Sequence, residues 1–469
     1  MNDILILASN RMLPTNELVY CQVCQDLTSQ AIISFVTNNT TRHDHSLFYR
    51  VSGTNDQWNE VIPDQKHIVD TQGKRLNNSY LTGLQSDTVY EFKIGNEIVL
   101  RKYKTMPSTL NNYNEVKVGY ATDPHFRKKG HMDYGELTDV MRVRGIDILV
   151  CGGDIVDCEG RTSTTGGEVI GTGKESNDWI DFLKMIETRL CAGKKYIPFI
   201  TIVGNHDTDP HFSDNPEAAY HIRFFFDYPK ESHPVGKNYG AITIGDYCQF
   251  LLYDTHTVVD ADDWHAMTPI YKDWFDEVHD QTVKHCIPFA HAGILTSYRN
   301  AISTFPLVMT YAVAERFYEN DNIRTLFTGH DHSWMKTRPL RVVNQQPSHG
   351  SNEPDNGYID LQNGKYLTLS DQEDNKSFYV LGNGGWGGSV YDIFNPATTW
   401  YLENVRSGRT FGAVAKIKTG VSGVEHEDDG KDANPPWAHV HILTLKDDAM
   451  IVESVDQYNN IFDTLTLDI

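Results

Sequence analysis

The chain has 469 residues, enough for two or three domains and a large core. Hydrophobic residues make up 39% and charged residues 22%, which is the balance of an ordinary globular protein. The net charge of −22 argues against a general binder of nucleic acid or of anionic membranes, because phosphate contacts need a basic surface; a small phosphate ester held through metal ions is compatible with it.

The stretch Met1–Leu7 lacks the basic region and long apolar run of a signal peptide, and no run of 18 apolar residues predicts a membrane span. The expected location is cytoplasmic if the chain is full length and extracellular if a leader has been removed. Seven cysteines, odd in number and scattered, read as reduced thiols rather than a disulfide framework. Cys21 and Cys24 have no second pair and lie in a strand-like segment, where positions three apart face opposite ways, so they read as structural.

Up to about residue 108 apolar and polar residues alternate without a helical period. The predicted strands are Leu18–Val23, Ala31–Val36, Ser46–Val51, Tyr90–Ile94 and Glu97–Tyr103. Leu81 to Leu84 followed by Thr88 to Phe92 is similar to the tyrosine corner of immunoglobulin-like and fibronectin type III domains. Residues 109–115 form the expected linker. From 116 the texture becomes α/β. Ser176 is placed to cap a helix with Trp179, Ile180, Leu183, Ile186 and Leu190 on one face, closed by Gly193. Thr268-Pro269 should open a second, with Ile270, Trp274 and Val278 inward, and Met309–Glu319 is a third. Three loops are expected at 159–174, 341–376 and 421–437; the last is acidic and reads as a solvated surface loop. A hairpin over 438–445 and 449–455 should lie near the end, with His439 and His441 as structural residues.

Five short apolar runs end in metal-ligand side chains. Ile148–Cys151 turns through Gly152-Gly153 into Asp154, with Asp157 beyond it. Runs ending at Thr122, Val203, Ala290 and Thr328 lead into Asp123-Pro124-His125, Gly204-Asn205-His206-Asp207, His291-Ala292-Gly293 and Gly329-His330-Asp331-His332. The carboxyl end of a strand is where open α/β sheets bind ligands, and a carboxylate buried there needs a cation. Asp123, His125, Asn205, His291, His330 and His332 offer hard oxygen and imidazole ligands suited to transition-metal ions, with Asp154 as the natural bridge. Arg127 is a candidate contact for a substrate anion. The glycine run 382–388 lacks a following Gly-Lys-Ser/Thr, so it is a tight turn and not a P-loop.

These five blocks, in this order and spacing, resemble the calcineurin-like metallophosphoesterase superfamily over roughly residues 115–390. The resemblance implies a two-sheet α/β/β/α sandwich over 116–469. It implies two metal ions, manganese, iron or zinc, roughly 3.5–4 Å apart, that clamp a phosphoryl oxygen and supply a bridging hydroxide as nucleophile. It also assigns His330 and His332 to different ions. His206, with Asp207 orienting its ring and Asn205 beside it, is expected to contact the phosphate or protonate the leaving oxygen rather than bind metal. An all-β sandwich over 1–108 ahead of such a domain resembles the layout of purple acid phosphatases and offers a surface for protein contacts. Asp157 stands where that group has Tyr, and His125 where it has Gly, so the iron–tyrosinate centre is not expected. The resulting expectation is a metal-dependent phosphomonoesterase or phosphodiesterase. The rivals are a nuclease of the same superfamily and a structural or adhesion protein that uses the fold as a scaffold.

Overall fold

The computed structural model describes residues 18–38, 45–68, 73–111, 114–126, 135–156, 174–193, 195–207, 220–227, 238–255, 264–295, 304–331, 334–347, 358–361, 363–370, 376–382, 402–406, 414–416, 425–426 and 438–468. Arg127, Asp157, His332, the loop 159–173 and the glycine run beyond Gly382 fall outside them.

Two mixed sheets face each other. At the heart of the first, the strands Val116–Ala121, Ile148–Cys151 and Pro198–Thr201 run parallel. His439–Leu445 joins them antiparallel beside Val116–Ala121, followed outward by Ala449–Asp456 and Ile461–Asp468. At the heart of the second, Cys248–Tyr253, His285–Ala290, Thr325–Thr328 and Tyr379–Gly382 are parallel neighbours in that order, and Trp334–Thr337 is antiparallel to the last. Both faces of these central strands are covered, which is why they read as unbroken apolar runs rather than alternating ones.

Three cores follow from this layering. Between the sheets, Val118, Tyr120, Ile148, Val150, Ile200 and Ile202 meet Phe250, Leu252, Ile287, Phe289, Phe327 and Leu381. On the outer face of the first sheet, Leu137, Val140 and Met141 of the helix Gly135–Arg144 pack with Trp179, Ile180 and Leu183 of the helix Lys174–Met185. Outside the second sheet lie the helices Trp264–Val278 and Thr304–Glu319, through Tyr271, Trp274, Phe275, Val313 and Phe317. All the parallel strands end on one rim, and the ligand-bearing segments leave from there.

The amino-terminal region is strand-rich. Its strand Leu18–Gln22 pairs parallel with Pro198–Thr201, so Ala31–Thr37, Arg75–Leu81 and Asp64–His67 continue the first sheet outward. A further sheet, Arg101–Lys104 with Val89–Ile94, Leu47–Val51 and Asn59–Val61, faces these strands. A fourth core of Val19, Ile33, Phe35, Leu47, Leu81, Tyr90 and Phe92 lies between them. The Tyr90 hydroxyl accepts the backbone N–H of Gln85 at 2.8 Å, a return hydrogen bond of the kind a tyrosine corner makes. Cys21 lies in this fourth core and Cys24 in the inter-sheet core, so the two thiols do face apart.

Several local expectations are corrected. The second helix begins at Lys174, so Ser176 is interior rather than a cap, and after Met185 the chain continues as a π-helical turn over Ile186–Leu190. Pro269 lies inside the helix Trp264–Val278 instead of opening it, and Ile270 is exposed, while Tyr271, Trp274 and Phe275 fill the core. The segment expected as a polar loop at 341–376 carries a small sheet of Leu340–Val343, Tyr366–Leu369 and Tyr358–Asp360. The carboxyl-terminal hairpin has a third strand, Ile461–Asp468. No helix among the described residues is long and apolar enough to cross a membrane.

Candidate metal centre

The rim gathers Asp123, His125, Asp154, Asn205, His206, Asp207, His291 and His330. Asp123, His125, Asp154 and His291 are buried, and Asn205, His206 and His330 are half-buried. Backbone bonds lace the turns together: Asp123 N donates to Gly153 O at 3.0 Å and His125 N to Asp154 O at 2.9 Å. Four of the ligand-type residues adopt positive φ, namely Asp123 at 58°, His125 at 43°, Asp154 at 54° and His330 at 70°. Non-glycine residues hold that region at a cost of about 1–3 kcal/mol each, and such strain collects at functional sites.

Asp154 is at the centre. His125, Asp154 and His206 bring ligand atoms within 4.8 Å of one another, and Asp154, His291 and His330 do the same, so one carboxylate belongs to both groups. Its Oδ1 accepts the backbone N–H of His206 at 2.7 Å. Its Oδ2 is buried and meets no hydrogen-bond geometry; it lies 3.3 Å from His291 Nε2 and 3.6 Å from His125 Nε2. An unsatisfied anionic oxygen inside a protein is costly, and a cation relieves it. Burial works against its charge, yet the imidazoles of His291, His206 and His125 hold the carboxyl well below the usual range.

His291 is oriented by its far nitrogen. Nδ1 lies 2.6 Å from Gly152 O, which fixes a proton there and turns Nε2 into the site, 3.3 Å from Asn205 Oδ1. Burial opposes protonation of this ring, but Asp154 and then Asp123 lift its pKa to about 9. A metal bound at this ring would compete with its proton. Asp123 is held from behind: Thr122 Oγ1 donates to its Oδ2 at 2.7 Å and His330 N at 3.0 Å, with Oδ1 turned toward His291 Nε2 at 4.0 Å. The rings of His125 and His206 meet edge-on at 4.5 Å, and those of His291 and His330 at 5.2 Å.

Two glycines are required by proximity. A Cβ on Gly204 would run into the carboxylate and backbone nitrogen of Asp154, and one on Gly153 would sit 2.6 Å from Gly204 N and 2.9 Å from His291 Nδ1.

Asp207 differs from its expected role of orienting the His206 ring. Its carboxylate accepts backbone N–H groups instead, from Asp154 at 2.7 Å, Ile155 at 2.8 Å and Gly204 at 3.0 Å. An acid that follows the histidine in sequence points back under the turn, where the open amides are. Burial and then the neighbouring Asp154 charge push its pKa up to about 7. Sequence reasoning also missed Thr122, and Thr255, whose hydroxyl accepts Ala292 N at 3.1 Å; a lone threonine carries no motif signal. Arg127 and His332 lie outside the described residues.

Carboxylate, carboxamide and imidazole donors around a shared acid suit manganese, iron or zinc, so the residues present fit a transition-metal centre. Residues 116–334, a stretch that carries every site residue named above, match the calcineurin-like phosphoesterase family. No curated protein matches the chain.

Proposed function

We propose that the chain hydrolyses a phosphomonoester or phosphodiester with two cations held by its own side chains. Asp123, His125 and His332 would hold one, Asn205, His291 and His330 the other, and Asp154 both. The observation that carries this reading is the position of Asp154, a single buried carboxylate common to two groups of ligand-type side chains. When bound, the cations supply Lewis-acid polarisation of a phosphoryl oxygen and acidify a water that attacks it.

The remaining work falls to the protein. Gly152 O keeps the His291 proton on Nδ1, so Nε2 faces the centre unprotonated once a metal occupies it. His206, half-buried beside His125, acts on the leaving oxygen as general acid, and its main chain is pinned by Asp154. Arg127 is assigned to the substrate anion. The charge of −22 favours a small or exposed ester over a polyanion. Residues 1–108 are assigned to a fibronectin type III or immunoglobulin-like sandwich, in the manner of the purple acid phosphatases, and 116–469 to the phosphoesterase domain. The Tyr90 hydrogen bond and the two facing amino-terminal sheets support the sandwich.

The test is elemental analysis of the purified protein with hydrolysis of p-nitrophenyl phosphate and bis-p-nitrophenyl phosphate in added manganese. About two metals per chain with turnover of either ester is the expected result. No metal and no turnover after manganese loading would remove the dinuclear reading and favour a scaffold role.

A further inference from the structure

His441, Tyr120 and Ser454 sit in register on three adjacent strands of the first sheet, His441 pairing with Tyr120 on one side and Ser454 on the other. The fully buried imidazole stacks on Tyr120, with ring centroids 6.3 Å apart and planes at 17°, and meets Phe327 of the second sheet at 5.7 Å. It therefore stands between the two sheets. Its Nδ1 lies 3.1 Å from Ser454 Oγ, its Nε2 lies 3.4 Å from Gly382 O, and Ser454 Oγ accepts Trp334 Nε1–H at 3.0 Å.

The proton positions follow from donor chemistry. A carbonyl only accepts, so the Nε2 facing Gly382 O carries the proton of a neutral ring; Nδ1 then accepts from the Ser454 hydroxyl, and Ser454 Oγ accepts from Trp334. A doubly protonated ring would bury a cation beside Phe327. In keeping with a neutral ring, burial pulls the His441 pKa down to about 4.

The ends of this chain are well placed. Gly382 pairs with Thr328, which leads into Gly329-His330, and also with Met335, which follows Trp334. Trp334 opens the strand on the far side of the same segment and packs against Phe462 at 5.3 Å. The segment that carries His330 is thus tied to the first sheet at its entry and at its exit, through one imidazole. On the first sheet, the neighbour of His441 is Tyr120, three residues before Asp123.

We propose that His441 is a positioning residue for the metal centre: through Ser454 and Trp334 on one side and Gly382 on the other, it sets the spacing of the sheets and so keeps His330 within range of Asp154. The proposal rests on the phosphoesterase reading above.

The test uses the whole chain and four variants: His441→Phe, His441→Gln, Ser454→Ala and Trp334→Phe. Manganese binding to the metal-free proteins is followed by calorimetry, with thermal midpoints taken in parallel. We expect His441→Phe and Ser454→Ala to weaken one of two manganese-binding steps about tenfold per folded molecule. His441→Gln, whose amide can still donate toward Gly382 O, should recover part of that loss. Adding Ser454→Ala to His441→Phe should cost little more, because the two share one chain. Lowered midpoints with unchanged manganese isotherms would make His441 merely structural and overturn the proposal. If His441→Phe does not fold, Trp334→Phe, which removes the N–H donor to Ser454 and keeps an aromatic ring beside Phe462, decides the question by the same isotherms. A parent protein that takes up no manganese would overturn the phosphoesterase reading and this proposal with it. A parent that binds two ions while every variant matches it overturns the proposal alone.

Discussion

Asp207 holds Asp154 by its main chain: the Asp207 carboxylate accepts the Asp154 N–H at 2.7 Å, and the Asp154 side chain in turn accepts the His206 N–H at 2.7 Å. Two turns from different strands are thereby closed on each other, one acid acting as scaffold for the next. This reciprocal latch explains how Asp154 can rest at a φ of 54° with its second oxygen turned into the site. Removing Asp207 as Ala would leave the buried amides of Asp154, Ile155 and Gly204 unpaired. A loss on the order of 3–5 kcal/mol is expected, read from the urea midpoint of the metal-free protein. An unchanged midpoint would mean the latch contributes nothing to stability.

His206→Ala should cut turnover by about 10²–10⁴-fold while leaving metal content intact, if the ring serves the leaving group. The same ring lies within ligand distance of His125 and Asp154, so the metal content of the variant is the deciding number. Loss of one ion per chain would move His206 into the ligand set and out of the acid–base role.

Asp154→Asn should lose both ions and all turnover, since the shared carboxylate is common to both groups. Chelation of the parent protein should lower its thermal midpoint, and manganese should restore it, as required for a ligand that binds only the folded state. In the Asp154→Asn variant the midpoint should no longer respond to manganese. A response equal to that of the parent would place the metal elsewhere.

Acid stability is set in part by two histidines away from the rim. Burial lowers the pKa of His285, whose ring contacts Lys446 O at 2.8 Å, to about 4, and burial does the same for His441, against an ordinary value of 6.5. Between those values the folded protein keeps both rings neutral while the unfolded chain protonates them. Unfolding therefore takes up protons, and stability falls as pH drops from 6.5 toward 4, by at most roughly 3 kcal/mol for each ring. Urea midpoints at pH 7 and pH 5 should show the decline, and His285→Gln should reduce its slope. A slope unchanged by that substitution would remove His285 as a contributor.

Gly204→Ala places a methyl group against the Asp154 carboxylate. Metal affinity should fall at least about tenfold even in protein that folds, because the displaced acid serves both ligand groups. Manganese titration of the folded variant reads this directly, and parental affinity would show that the turn yields without moving Asp154.

The ligand-bearing ends of the strands were legible because the chemistry is written locally: a few apolar residues, a glycine and then an acid or imidazole. What joined them was not. Nothing beside Asp207 in sequence shows that its carboxylate turns back to the amides of Asp154 and Ile155. The strand Arg75–Leu81 is absent from the predicted strands, and its Asn77, Asn78 and Ser79 break an apolar pattern although all three are buried. Asn77 and the Asn78 carbonyl find partners across the sheet, where Asn77 Nδ2 donates to Phe35 O at 3.1 Å and Ser34 Oγ to Asn78 Oδ1 at 2.8 Å, partners that only tertiary pairing supplies. Pro269 misled for a related reason. The helix runs through it because Tyr271, Trp274 and Phe275 are buried on one face, and that burial outweighs one missing backbone bond.

The pairing of Leu18–Gln22 with Pro198–Thr201 has a consequence for how the stretch that matches the phosphoesterase family can exist alone. A fragment cut to residues 116–334 would lose this strand on one flank and His439–Leu445 on the other, stripping both neighbours from its three parallel strands. Each exposed flank would be a row of open amides and carbonyls ready to join another chain. The amino-terminal strands are therefore no detachable passenger: excising them trades an internal partner for a foreign one, and the metal-binding rim loses the wall it is built on.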